Sequence, residues 1–444
     1  MKMKFKNNIF FTVILSCAIF LAGCGAMPGT TESPIIELTP EPIPEQMIEP
    51  VPEPTPKPEP ESTPQPTPIP TAEPTTEPDS ENGASGLVGE LTTKTIIPNE
   101  SNVKTLGRTE WVDDTLWMVL PGTGAEFTFV GTKLELTLQA DERTYLGDVN
   151  SQARIAIYVN GECTIDDMID NLEGTYQVFE SEEVQECTIK VVKLSEAVYS
   201  SVGIKSMNVT CIGDIKPTEP KEHLIEFVGD SLICGFGVED EDVHNPFSTA
   251  MENVTMAYAY KTAETLNADY SMVAYSGYGV ISGFTFGEKV EAQQLPTYYS
   301  KLGITNVPYL GRNAVDIEWD FTKRQPDLIV VNLGSNDYSY TGDDGEKQQE
   351  FANGYVEFLK QIRSLNPNAT ILCTLGIMET ELFDDVQMAV QDYTMETGDS
   401  NIHTFEFTVN PEEDGLMAGG HPCEESYGKA AGQLTAKIQE IMGW

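Results

Sequence analysis

Basic residues are scarce in this chain. Only 26 Lys and Arg stand against 70 Asp and Glu, a formal net charge of -44. Nucleic acid and anionic lipid surfaces both require clustered Lys and Arg, so neither is expected as a partner, and neutral substrates suit the chain better than polyanionic ones. Solubility is the plainer explanation for the size of the charge. The eight cysteines form no CxxC pair, which argues against a zinc site and against a dense disulfide framework. Cys187 and Cys211 fall in strand-like runs and read as buried free thiols; whether Cys234 and Cys423 pair is left open. There is no phosphate-binding glycine loop and no dinucleotide fingerprint. The acidic string "DDGE" at 343–346 lacks the spacing of a twelve-residue calcium loop. No metal or organic cofactor is expected.

The apolar run at the N-terminus, Ile9 to Ala22, is also short: about 14 residues, where a permanent bilayer span needs roughly 20. Lys2, Lys4 and Lys6 precede it, giving the form of an export signal. The run closes on Leu21-Ala22-Gly23-Cys24, which resembles the bacterial lipoprotein cleavage box. That resemblance implies removal of residues 1–23, diacylglycerol attachment at Cys24 and a lipid anchor on the extracellular face of the cell membrane. Residues 24–87 form a proline-rich linker, with runs such as "EPVPEPTPKPEPESTPQPTPIP". Closely spaced prolines block helix and sheet pairing and favour extended polyproline II, and few large apolar side chains remain to build a core.

Two folded regions come after the linker, with different periodicities. In residues 88–218 the runs "KLELTLQA", "RIAIYVNGE", "TYQVFES", "ECTIKVVKLSE" and "IKSMNVTCIGDI" alternate apolar and polar residues. Period two with polar turns and no long helical stretch predicts an antiparallel, jelly-roll-like β-sandwich. Trp111, Trp117 and Tyr145 are candidates for stacking on sugar rings, with packing inside the sandwich the plainer reading. In residues 219–444 the rhythm becomes strand, helix, strand, helix. "LIEFVG", "YSMVAYSG", "DLIVVNLGS", "TILCTLGIM" and "IHTFEFTV" read as buried parallel strands. Between them, Phe351, Tyr355, Phe358, Leu359 and Ile362 share one helical face. This predicts an α/β fold, a parallel sheet with helices on both faces, whose function sits at the carboxyl ends of the strands.

Those ends carry different chemical parts. The first strand runs into Gly229-Asp230-Ser231-Leu232, the second into Ser276-Gly277-Tyr278-Gly279, and the third into Gly334-Ser335-Asn336-Asp337. His421 and Pro422 precede the last helix. Acyl transfer needs such a set. The Ser231 hydroxyl is a poor nucleophile until a base takes its proton, and His421 is the natural base. The negative oxygen of a tetrahedral intermediate needs waiting donors, and the N–H groups of Ser231 and Gly277 and the Asn336 amide are the candidates. Each signal alone has a bland explanation, such as a serine helix cap or a structural histidine. Their joint order does not. His223, His403 and His244 receive structural readings, although His244 lies in a loop that can line a cleft.

The blocks "FVGDSL", "YSGYG", "VNLGSND" and "GGHP" resemble the SGNH (GDSL) hydrolase superfamily. The flavodoxin-like α/β region after a jelly roll, with "GR" at 107–108, "WDF" before the third strand and "DGLMAGGHP", is most similar to carbohydrate esterase family 2. The resemblance covers about residues 100–444. It implies Ser231 as nucleophile, His421 as base, and Ser231, Gly277 and Asn336 as the oxyanion hole, with Gly279 the alternative for the glycine. It also implies an acetyl xylan esterase type of activity: removal of O-acetyl groups from xylan or glucomannan through an acetyl-enzyme, by a protein acting as a monomer. An O-acetylpeptidoglycan esterase and an inactive carbohydrate-binding surface protein are the alternatives. One departure stands out. Many superfamily members carry Asp three residues before the histidine, where this chain has Ala418. A Ser–His dyad with a backbone carbonyl in place of the carboxylate is therefore expected. Asp230 is expected to orient the nucleophile loop.

Overall fold

The computed structural model describes residues 89–147 and 149–444. The signal segment, Cys24 and the proline-rich linker lie outside the described residues.

The first region is an antiparallel network of nine strands. Four short strands come first: β1 (Thr92–Ile96), β2 (Lys104–Leu106), β3 (Thr109–Val112) and β4 (Thr115–Met118). Three long strands dominate the rest of the network: β5 (Gly124–Ala140), β8 (Glu173–Lys193) and β9 (Val202–Pro217), with β6 (Arg154–Val159) and β7 (Glu162–Met168) between them. β5 pairs with β8 on one side and β9 on the other, with register irregularities at Gly131–Lys133 on both. Such bulges let a long strand bend and fold one network back on itself as a sandwich. The runs "TYQVFES" and "ECTIKVVKLSE", read from the sequence as separate strands, are one continuous strand, β8. Alternation marks which residues face the core, but polar residues along a bent strand look like a turn.

The second region holds five parallel strands: β10 (Leu224–Gly229), β11 (Asp269–Ala274), β12 (Leu328–Asn332), β13 (Thr370–Leu375) and β14 (Ile402–Glu406), in the order β11-β10-β12-β13-β14. Seven α-helices accompany them: α1 (Ser231–Cys234), α2 (Tyr258–Thr265), α3 (Ser335–Thr341), α4 (Gly345–Leu365), α5 (Phe383–Thr397), α6 (Pro411–Asp414) and α7 (Glu424–Met442). Successive side chains of a strand point to opposite faces. Accordingly, Ile329 and Val331 of β12 pack with Phe351, Tyr355 and Leu359 of α4 and Val386 of α5. Leu328 and Val330 pack with Ala263 of α2 and with Leu434 and Ile438 of α7. Helices therefore cover both faces. Asp344 caps α4 by accepting from the N–H groups of Glu346 and Lys347. β14 is less buried than its apolar run suggests, with Thr404 and Phe405 half-buried, because it forms the far edge of the sheet.

The two regions share core rather than merely touching. Trp117, Val119 and Leu120 join the α4–α5 side of the α/β core, and Leu106, Val192 and Leu194 join the α2–α7 side. Trp117 is fully buried and stacks on Tyr309 at 4.8 Å; Trp111 and Tyr145 pack against the sandwich core. The sandwich also covers the β11 edge, with Lys104 Nζ 3.1 Å from Asp269 Oδ1. Arg108, also in the junction, is 1% exposed. Its Nη2 donates to both Glu226 carboxylate oxygens at 3.1 and 3.2 Å, and its Nη1 to the carbonyls of Tyr299 and Lys301. The Tyr299 and Ser271 hydroxyls complete the shell around Glu226.

A buried carboxylate stripped of its partner is costly. Arg108→Ala should therefore destabilise the described fold by about 3–5 kcal/mol, measured as a lower urea midpoint. An unchanged midpoint would contradict this account of the junction.

Candidate active site

β10 pairs in parallel with both neighbours, Gly229 opposite Ala274 on one side and Asn332 on the other. Three strands thus end level, and the segments leaving them converge.

Asp230 caps α1, its Oδ1 accepting the Leu232 N–H at 3.1 Å. Ser231 is the first helical residue and is 8% exposed. First-turn N–H groups have no intrahelical acceptor, and among the described residues the Ser231 N–H donates to no protein group. His421 arrives from a loop pinned to the segment after α1, with the Ala418 N–H on the Asp240 carbonyl and the Gly419 N–H on the Val243 carbonyl. Its Nε2 lies 2.8 Å from Ser231 Oγ.

Gly277 has φ +80 and open space where a side chain would stand. Its N–H, like that of Ser231, meets no acceptor among the described residues. Gly279 differs: its N–H is held by the Gln293 carbonyl at 3.1 Å, and a Cβ there would stand 2.2 Å from the Ser282 carbonyl oxygen. Of the two glycines, Gly277 alone presents a free amide. Asn336 comes to the same place, but both protons of its Nδ2 are taken, by Asp230 Oδ2 at 3.0 Å and the Tyr278 carbonyl at 2.9 Å. It ties β12's end to β10's and β11's, and it reaches a substrate oxygen only by releasing one of those bonds.

Among the described residues no carboxylate meets His421. Asp414, the acidic residue seven positions before His421, is turned to Ser426 and Lys429. The backbone carbonyls of Gly419 and Ala418 stand beside the buried ring in its place, although neither meets Nδ1 with full hydrogen-bond geometry. Burial is the main influence on this imidazole and lowers its pKa to about 4; the carbonyls of Gly419 and Ala418 oppose that shift. The ring is held by packing. Phe236 lies 4.3 Å away, tilted by 30°, and is backed by Phe247 at 4.9 Å and then by Tyr199 of the sandwich at 4.5 Å from Phe247.

Two contributors escaped the sequence reading. Asp337, fully buried, receives the N–H groups of Val280, Ile281 and Ser282 at 2.8–3.1 Å and so shapes the loop beyond Gly279. Burial raises its pKa to about 6 against the pull of those donors. Burial, with Asp337 beside it, pushes Asp230 to about 7. The charged residue in "GSND" was the visible signal for Asp337; Phe236 had none, being one aromatic among many. His223 stacks on Trp444, His403 lies in β14 and His244 is exposed in its loop. Cys234 and Cys423 are free thiols, as are the buried Cys187 and Cys211.

A hydroxyl beside a neutral imidazole, with two unengaged N–H groups at neighbouring strand ends, has the parts for attack on an ester carbonyl. Residues 227–397 match the GDSL-like Lipase/Acylhydrolase family, and residues 105–230 match the Carbohydrate esterase 2 N-terminal domain. Fold, site and matches make residues 105–397 similar to the two domains of a GDSL-type carbohydrate esterase. Among particular relatives, the chain is 27% identical over 332 residues to the cellulase/esterase CelE of Acetivibrio thermocellus, covering 73% of this chain but 37% of that one. It is 24% identical to an acetylxylan esterase/glucomannan deacetylase of Cellvibrio japonicus, covering 80% and 92% of the two chains. An acetyl xylan esterase from the rumen bacterium Butyrivibrio proteoclasticus shares the fold, with TM-score 0.69 and 24% identity over 80% of this chain and 99% of that one.

The His421 imidazole should remain neutral as pH falls and take its proton only near pH 4. An NMR titration of its ring signals checks this. A midpoint at the ordinary 6.5 would refute the role given to burial.

Proposed function

We propose that the protein is a serine esterase that removes O-acetyl groups from a neutral cell-wall polysaccharide of the xylan or glucomannan type. The observation that carries this is the 2.8 Å approach of His421 Nε2 to Ser231 Oγ beside two free N–H groups. With its proton on Nδ1, the imidazole accepts the hydroxyl proton as Oγ attacks the acetyl carbonyl. The Ser231 and Gly277 N–H groups receive the developing oxyanion, each such donor contributing about 3–4 kcal/mol to the transition state. Collapse expels the sugar alkoxide, which takes the proton from Nε2 and leaves Ser231 acetylated. Water then adds to the acetyl-enzyme with Nε2 again as base, releasing acetate and restoring the hydroxyl. Burial disfavours the imidazolium in the resting enzyme, and the neighbouring oxyanion favours it at the moment it forms.

The substrate class follows from the acidic surface, which disfavours polyanions, and from the acetylxylan esterase/glucomannan deacetylase relative. The N-terminal sequence supports a lipid anchor at Cys24, which would hold a monomeric enzyme outside the cell membrane at the end of the proline-rich linker. That location also suits O-acetylated peptidoglycan, so acetate release is to be compared on acetylated xylan, acetylated glucomannan and O-acetylated peptidoglycan.

Ser231→Ala should lower the turnover of 4-nitrophenyl acetate by about 10⁴-fold or more, and His421→Ala should do likewise. Wild-type activity in either variant would end the proposal. Cys24→Ala should move the protein from the membrane fraction to the medium, followed by immunoblot; unchanged membrane retention would refute the anchor.

A further inference from the structure

The loop between β8 and β9 leaves the sandwich and runs beneath the candidate active site. Lys193, Ser195 and Glu196 are all at most 1% exposed. The loop is tied down along its length. Lys193 Nζ donates to the carbonyls of Ser195 and Glu196 at 2.6 and 2.7 Å, the Glu196 N–H to Glu252 Oε2 at 3.0 Å, and the Val254 N–H to the Leu194 carbonyl at 3.2 Å. The backbone of Glu196 is therefore fixed, and its side chain projects into the α/β region. There Oε2 accepts the Ser276 N–H at 2.8 Å and stands 3.9 Å from Cys234 Sγ. Ser276 immediately precedes Gly277, and Cys234 ends the short helix that begins at Ser231. One carboxylate from the sandwich thus touches both segments that supply a free N–H to the site.

The turn carrying Gly277 is anchored on its far side, where Tyr278 is buried and its carbonyl accepts from Asn336 Nδ2 at 2.9 Å. No atom lies within 4 Å of the position a Gly277 Cβ would take, so packing does not constrain that side. Around Gly277 itself the restraints are the Tyr278 N–H on the Tyr275 carbonyl at 3.2 Å and the Phe284 N–H on the Gly277 carbonyl at 2.8 Å, and on the peptide before it Glu196 accepts the Ser276 N–H. A glycine peptide with positive φ and no packing reorients easily. A donor aimed at a developing charge must instead be in place beforehand.

We infer that Glu196 is a positioning residue for the oxyanion pocket: by accepting the Ser276 N–H it sets the direction of the Gly277 N–H, so the sandwich supplies part of the esterase's machinery. The inference rests on the esterase reading, and the test separates the two.

The full chain is to be compared as wild type, Glu196→Ala, Glu196→Gln and Glu196→Asp, using 4-nitrophenyl acetate and its thionoester. Sulfur is a weak hydrogen-bond acceptor, so the preference for the oxygen ester reports on the oxyanion donors. Glu196→Ala should lower kcat by about 10- to 100-fold with KM changed less than about twofold, and the oxygen-over-sulfur preference should shrink with it. Glu196→Gln retains an acceptor oxygen at the same reach and should restore kcat to within about threefold of wild type. Glu196→Asp is too short to reach Ser276 and should behave like Ala; it replaces Ala if that variant does not fold. Wild-type kcat in Ala or Asp, an unchanged oxygen-over-sulfur preference, or a Gln variant as impaired as Ala would each overturn the inference while leaving the esterase reading intact. Absence of ester hydrolysis by the wild type would overturn both.

Discussion

Everything at the candidate active site depends on three parallel strands ending level. Gly229 of β10 pairs with Ala274 of β11 and Asn332 of β12. Within a few residues of that line stand Ser231, Gly277 and Asn336. In a parallel sheet a one-residue slip of any strand moves its terminus by about 3.3 Å and turns its side chains to the opposite face. The alternating burial of β12, with Ile329 and Val331 toward α4 and α5 and Leu328 and Val330 toward α2 and α7, holds the register against that slip. The constraint that packs the core therefore also brings Ser231 and the Gly277 N–H to neighbouring strand ends.

The sandwich belongs to this arrangement. Its strands and loops meet the α/β region from several directions: Arg108 under β10, Trp117 of β4 against Tyr309, Glu196 beneath the Gly277 turn and Tyr199 at the end of the aromatic stack behind His421. The Arg108–Glu226 pair is surrounded by hydroxyls and carbonyls that satisfy most of its remaining hydrogen-bonding capacity. Burying charge is tolerable only with that degree of compensation. The junction of the two regions is thus a continuous core whose polar members are arranged around the site.

Among the described residues His421 has no carboxylate behind it. A carboxylate would fix the ring by a hydrogen bond and favour its charged form. Here Phe236 and its backing rings fix the ring by contact, and burial favours the neutral form. The consequence is an imidazole that stays neutral well into the acid range. Asp230 and Asp337, both raised by burial, brace the loops and touch neither His421 nor the Ser231 hydroxyl among the described contacts.

Local chemistry was legible in the sequence. Alternation separated the sandwich from the α/β region, turn residues marked the strand ends, and the Ser, Gly, Asn and His blocks were readable because each is a short string with its own chemical character. What tertiary structure alone decided were relations between distant residues. The fusion of β8 into one strand, the exposed edge of β14 and the engagement of both Asn336 protons depend on neighbours far along the chain. So does the contact of Glu196 with Ser276, 80 positions apart. A sequence states which groups are available; whether a donor is free or already bonded depends on what folding brings against it.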